Sequence, residues 1–134
     1  MNHSPRFLVA DDSASTRRTI CRVLSDLGFA QVDEASDGVR ALECLHAHPY
    51  DVVLTDWYMP YMSGLELLRR IRSTPDLAHT PVLMVTGFVT SAHMREACDA
   101  GANGFVMKPF IADSLGQKLS LLLGASGGAE AVHA

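Results

Sequence analysis

Five side chains suited to phosphate or metal chemistry stand directly after short apolar runs. Phe7-Leu8-Val9-Ala10 leads into Asp11 and Asp12, and Val52-Val53-Leu54 leads through Thr55 into Asp56. Val82-Leu83-Met84-Val85 leads into Thr86, and Phe105-Val106-Met107 into Lys108. Three carboxylates brought together repel, and each then prefers to be neutral. A hard divalent cation resolves that conflict. Mg²⁺ takes oxygen ligands, keeps several waters and is held by one or two carboxylates, often with phosphate oxygens completing its shell. Lys108 offers a compact positive charge to a phosphate or to a neighbouring carboxylate. Thr86 offers a rotatable hydroxyl. The set suits phosphoryl transfer, in which positioning and charge neutralisation dominate. An aspartate can itself be the nucleophile and form an acyl phosphate.

For these groups to meet, the runs must be neighbouring strands. Each run is continuous rather than alternating, as strands are when a sheet is covered on both faces. Gln31 to Ala35, centred on Val32, is a weaker fifth run. Helical spacing fills the intervals. Ile20, Val23, Leu24 and Leu27 recur at i, i+3, i+4, i+7, with Ser13 as N-cap and Gly28 as stop. Val39, Leu42 and Leu45 mark a second helix ending before Pro49, and Leu65, Leu68 and Ile71 mark a third. Ser91 to Ala100 holds only Met94, Ala97 and Cys98 before Gly101, so this helix is poorly apolar. Ile111, Leu115, Leu119 and Leu122 mark a fifth, with Gly124 after it. Five β-α units with short links predict an α/β fold: a parallel sheet wound with helices on both faces through right-handed crossovers. Ligands of such a sheet bind beyond the carboxyl ends of the strands, where the five side chains stand. Residues 124–134 are small and glycine-rich, which predicts a flexible tail or the start of a linker.

Composition narrows the function classes. The 134 residues suffice for one domain with a real core. The formal net charge of −4 argues against broad nucleic-acid binding, which wants a basic face. No apolar run approaches the ~18 residues of a membrane span, and Phe7 to Ala10 is too short for a signal-peptide core. Cys21, Cys44 and Cys98 are odd in number and lack CxxC spacing, which predicts buried thiols and a reducing, cytoplasmic setting. His46 and His48 diverge by about 200° on a helix and make no metal pair. There is no GxxxxGKS/T for a P-loop, no GxGxxG after the first run and no GxSxG elbow.

Asp11-Asp12, Asp56-Trp57-Tyr58-Met59-Pro60, Thr86-Gly87 and Lys108-Pro109-Phe110 resemble, in order and spacing, the receiver domain of two-component response regulators. The resemblance spans about residues 5–123, and Asp56 to Arg72 looks most like the chemotaxis-type, CheY-like receivers. It implies the flavodoxin/CheY-like (βα)5 fold with strand order 2-1-3-4-5, an order taken over with the family. It also implies that Asp56 is phosphorylated by a sensor histidine kinase or a His-phosphotransfer protein. Mg²⁺ (or Mn²⁺) would be held by Asp12 and Asp56, by the Tyr58 backbone carbonyl, and by Asp11 through water. Lys108 would pair with Asp56 and then with the phosphoryl group, and Thr86 would move to hydrogen-bond it. Phe105 would be the aromatic switch, although it lacks the hydroxyl common in the family; as an ordinary strand residue it would pack on the last helix. The Lys108-Pro109 bond is usually cis in the family. Kinases would dock on the first helix, where Arg17, Arg18 and Arg22 sit. A downstream protein target would bind the face of the fourth helix, fifth strand and fifth helix, with no direct nucleic-acid contact and no membrane insertion. Such a protein is a signalling switch and not a turnover enzyme.

Two further positions depart from the chemotaxis pattern, and Ile111 is unusual as a cap. Tyr58 stands where that pattern has Asn and Phe88 where it has Glu; both are bulky, which predicts hindered attack by water and a longer phosphoryl lifetime. Ile111 opens the last helix where Ser or Thr is the better cap. Arg69, Arg70 and Arg72 on the third helix read as a solvated face. Two other functions compete. One is a phosphatase or phosphotransferase with an aspartyl-phosphate intermediate, which wants Asp-x-Asp where Asp56-Trp57-Tyr58 stands. The other is a receiver that is never phosphorylated and serves only for docking.

Overall fold

The computed structural model describes residues 4–87, 90–108 and 112–127, with the ends of the last helix described in their backbone only. Five strands and five helices alternate: β1 (Arg6–Ala10), α1 (Ala14–Asp26), β2 (Gln31–Ala35), α2 (Gly38–Ala47), β3 (Val52–Asp56), α3 (Gly64–Ser73), β4 (Val82–Thr86), α4 (Ser91–Ala100), β5 (Gly104–Met107) and α5 (Ala112–Gly127). All strand pairs are parallel and the order is β2-β1-β3-β4-β5, as expected of the (βα)5 fold.

Strand alternation sends successive side chains to opposite faces, and both faces are apolar. Leu8, Val53, Met84 and Ala10 meet Ala41 and Leu45 of α2, Leu67, Leu68 and Ile71 of α3 and Ala97 of α4. Phe7, Val9, Leu54, Val85 and Val106 meet Ile20 and Leu24 of α1 and Leu115 and Leu119 of α5. Coverage on both sides explains the continuous runs of β1, β3 and β4. At the edge, β2 buries only Ala35, so its run is weak. Ser13, Asp37, Ser63 and Thr90 cap the first four helices, each side chain accepting a backbone N–H of the first turn.

Several expectations are corrected. Among the described residues Phe105 lies not on the last helix but against the cluster under α2, α3 and α4, because its neighbour Val106 takes the α5 side. Cys98 is exposed, and Cys21 and Cys44 are only partly buried. Burial, and then the neighbouring Glu34, push the Cys21 thiol up to about 11, which makes it a poor thiolate. Helix α5 does not stop at Gly124 but runs on to Gly127, since a glycine costs a helix only about 1 kcal/mol and need not end it.

Arg72 is no solvated residue. Its guanidinium donates to the carbonyls of Thr80 (2.6 Å), Ala78 (3.3 Å) and Gly101 (2.8 and 3.1 Å) and to Asn103 Oδ1 (2.8 Å). It thereby joins the end of α3 to the start of β4 and the end of α4. Gly101 permits this: its φ is +104°, and a Cβ there would lie 2.8 Å from Arg72 Nε. Replacing Arg72 with Met keeps the stem but strands several carbonyls. Urea unfolding of Arg72→Met is expected to show a loss of about 3 kcal/mol.

Candidate functional site

The carboxyl ends of β1, β3, β4 and β5 converge on one edge. The ladder sets Asp56 opposite Val85 and Thr86 opposite Met107, so the residues that end these strands are neighbours by register. Asp11 follows β1 and is buried, with 1% of its surface exposed. Its Oδ1 accepts the Ser13 N–H (2.9 Å), and its Oδ2 accepts Lys108 Nζ (3.0 Å). The same ammonium lies 3.5 Å from Asp56 Oδ1. Asp12 is exposed, and carboxylate oxygens of Asp11, Asp12 and Asp56 lie within 4.8 Å of one another. These oxygens are hard donors spaced for a shared cation, and their charge exceeds what Lys108 neutralises.

The electrostatics follow from crowding. Burial first, and then the charge of Asp11, push the Asp56 carboxyl above the usual carboxylate range; Lys108 and the Trp57 N–H (2.9 Å) pull it back only in part. Burial would lower the Lys108 ammonium, but its hydrogen bond to Asp11 and the charges of Asp56 and Asp11 outweigh that and hold it above its ordinary value.

Backbone contacts fix these groups. The Lys108 N–H donates to the Thr86 carbonyl (2.8 Å), tying β5 to β4 where the site begins. Thr86 itself is buried. The Gly64 N–H donates to the Trp57 carbonyl (2.7 Å), folding the β3–α3 loop back on itself. A Cβ on Gly64 would lie 2.0 Å from the Asp56 carbonyl oxygen, so only glycine admits this approach. In that loop Tyr61 holds a φ of +70° and, like Tyr58, is exposed. Trp57 is buried, its ring 6.5 Å from that of Tyr58 and 5.3 Å from that of His93 on α4.

Asp11, Asp12, Asp56, Thr86 and Lys108 thus gather as their order in the chain suggests, and Tyr58 flanks them on the loop after Asp56. Phe105 stands apart, one layer down on β5. Phe88, Pro109, Phe110 and Ile111, and with them the Lys108-Pro109 bond, lie outside the described residues. Arg17 is not a free surface group: its Nη1 donates to the Asp11 carbonyl (2.6 Å) and its Nε pairs with Glu34 (2.9 Å). Arg18 and Arg22 are exposed. The parts played by Arg17, Gly64 and His93 cannot be read from the sequence. Gly64 alone leaves a trace there, as a glycine directly after the capping Ser63.

A negatively charged Asp56 costs the fold stability. A carboxyl whose folded value is raised binds its proton more tightly folded than unfolded, so stability falls as pH rises from the ordinary carboxylate range through the raised value. Asp56→Asn removes that loss. Its melting temperature without divalent ions is expected to exceed the native protein's at pH 7 by a few degrees, the size of roughly 1 kcal/mol in such a domain. The gap should close as the pH is lowered through the carboxylate range. Thermal melts across that range check it.

Comparison with known proteins finds matches along most of the chain. The family model for the response regulator receiver domain matches residues 7–120. The chain is 43% identical over 119 residues to chemotaxis protein CheY-3 of Vibrio cholerae, covering 89% of this chain and 92% of that one. It is 46% identical over 114 residues to chemotaxis protein CheY of Pseudomonas aeruginosa, covering 85% and 92%. Among solved structures, the Vibrio cholerae chemotaxis protein CheY4 superposes with a TM-score of 0.84 at 32% identity, covering 90% of this chain and all of that one.

Proposed function

The chain belongs to the response regulator receiver family, and on that premise we propose that it is a switch driven by phosphorylation of Asp56. The observation that supports this most directly is the setting of Asp56: at the end of β3, 3.5 Å from Lys108 and grouped with Asp11 and Asp12. The donor is a phosphohistidine of a sensor histidine kinase or a His-phosphotransfer protein. An Asp56 carboxylate oxygen attacks the phosphorus as the P–N bond breaks. The electron pair leaves with the imidazole, which is protonated, and Asp56 becomes an acyl phosphate. Lys108 is placed to move from the carboxylates toward the new phosphoryl oxygens, and Thr86 to donate its hydroxyl to one of them. Asp12, Asp56 and the Tyr58 carbonyl, with Asp11 through water, would hold Mg²⁺ or Mn²⁺, which when bound supplies the positive charge this acidic group lacks.

Phosphorylation then acts by population shift: it favours the arrangement in which Thr86 and its strand end contact the phosphoryl group. The readout is carried by Phe105 and the face of α4, β5 and α5, which binds a downstream protein. Exposed Arg18 and Arg22 on α1 offer the kinase a cationic face beside the site. The protein is a signalling component rather than a turnover enzyme, and slow autodephosphorylation resets it. No described helix is long and apolar enough to cross a membrane, and three thiols outside any disulfide suit a cytoplasmic setting.

Trp57 reports on the site, because it adjoins Asp56, its backbone N–H donates to Asp56 Oδ1, and it is the single tryptophan. Adding Mg²⁺ and then beryllofluoride is expected to change its emission, and Asp56→Asn to abolish the second change. A silent titration would sink the phosphoacceptor reading in favour of a docking-only receiver, and steady turnover of a small phosphate ester would favour an enzyme. Tyr58 beside the acceptor shields the acyl phosphate from water, so Tyr58→Asn should shorten the phosphoryl half-life several-fold in a radiolabel decay assay.

A further inference from the structure

Helix α4 is fastened unevenly. At its C-terminal end Arg72 makes two hydrogen bonds to the Gly101 carbonyl, at 2.8 and 3.1 Å. Its middle has the exposed Arg69–Glu96 ion pair at 3.2 Å, which contributes little. Of its ten residues only Ala97 is buried. At its N-terminal turn, His93 packs on Trp57, the residue after β3, at 5.3 Å between ring centroids.

That contact is internally opposed. His93 Nδ1 is buried and has no hydrogen-bond partner among the described residues. Whichever tautomer the ring adopts, this nitrogen is a donor or an acceptor stripped of water, which disfavours the docked state. The apolar faces of the two rings favour it. Moving the N-terminal turn away would let water reach the nitrogen, while Arg72 keeps the other end in place. Trp57 adjoins the acceptor, and its backbone N–H donates to Asp56 Oδ1 at 2.9 Å, so a shift of this residue bears on that carboxylate.

We propose that His93 is a positioning residue whose strained packing on Trp57 sets the balance between docked and released α4, and so the readiness of Asp56 to take a phosphoryl group. This rests on Asp56 being the acceptor. A receiver that must release α4 binds a phosphoryl mimic in proportion to its released fraction. The lone nitrogen raises that fraction, so the resting protein is poised.

The test is beryllofluoride binding in the presence of Mg²⁺, followed by calorimetry because these variants alter the surroundings of Trp57. His93→Leu keeps an apolar contact and removes the stranded nitrogen; affinity should fall at least about five-fold. His93→Ala removes the contact; affinity should rise. A merely structural residue would not shift affinity in opposite directions. In the native chain, amide exchange should be faster at the start of Ser91–Ala100 than at its Arg72-held end, a check that needs no variant. Unchanged affinities, shifts in one direction, or uniform exchange along α4 would overturn the proposal while leaving the acceptor reading intact. Failure of the native protein to bind the mimic would overturn the acceptor reading and this proposal with it.

Discussion

Crowded negative charge at the carboxyl ends of β1 and β3 is the constraint around which the site is arranged. Asp11 is buried and spends its two carboxylate oxygens on the Ser13 N–H and on Lys108. Lys108 therefore cannot neutralise Asp56 fully, and it sits half an ångström farther from Asp56 than from Asp11. Burial first, and then the charge of Asp11, keep the Asp56 carboxyl above its usual range. In the proposed switch, a bound cation, or the ammonium moving to an arriving phosphoryl group, would relieve this condition. On that proposal, the imbalance that burdens the resting fold is the source of its responsiveness.

The sheet can sustain this cost because its interior needs nothing from the site. Apolar side chains fill both faces of β1, β3 and β4, and every described site side chain stands past the last inward-facing apolar residue of its strand. The loops are then free to be shaped by chemistry. Gly64 lies so close to the Asp56 carbonyl that no side chain fits, and Tyr61 takes a backbone conformation that tyrosine rarely adopts. Arg72 serves the opposite end of α4, where it binds backbone instead of solvent. Hydrogen bonds from Arg72 hold one end of this helix, and the ring contact of His93 with Trp57 lies at the other.

Much of this is legible in the chain. The bounds of β2, α4 and the apolar parts of β1, β3, β4 and β5 come from local runs and caps: burial on two faces leaves an unmistakable apolar stretch in β1, β3 and β4, whereas β2 is a weak run at the edge and α4 is marked by the Gly101 that follows it. Asp11, Asp12, Asp56, Thr86 and Lys108 are legible for a related reason: a parallel sheet delivers the residues after its strands to one edge. The side of the sheet taken by Phe105 is not, since a four-residue strand carries no marker of which helix covers which face. Nor is the role of Arg72, which depends on carbonyls from segments that meet only in three dimensions. Gly124 misleads because a glycine weakens a helix without ending it.

Taken alone, then, the sequence determined the alternation of elements, the edge at which the chemistry lies and the residue types that perform it. These are local properties, written in hydrophobic period and in the polar residues at the end of each apolar run. Only the tertiary structure decided how charge is shared among Asp11, Asp56 and Lys108, which arginines are bound and which are exposed, and that His93 meets Trp57. Each of those depends on distances between residues far apart in the chain, and such distances are set by packing rather than by spacing.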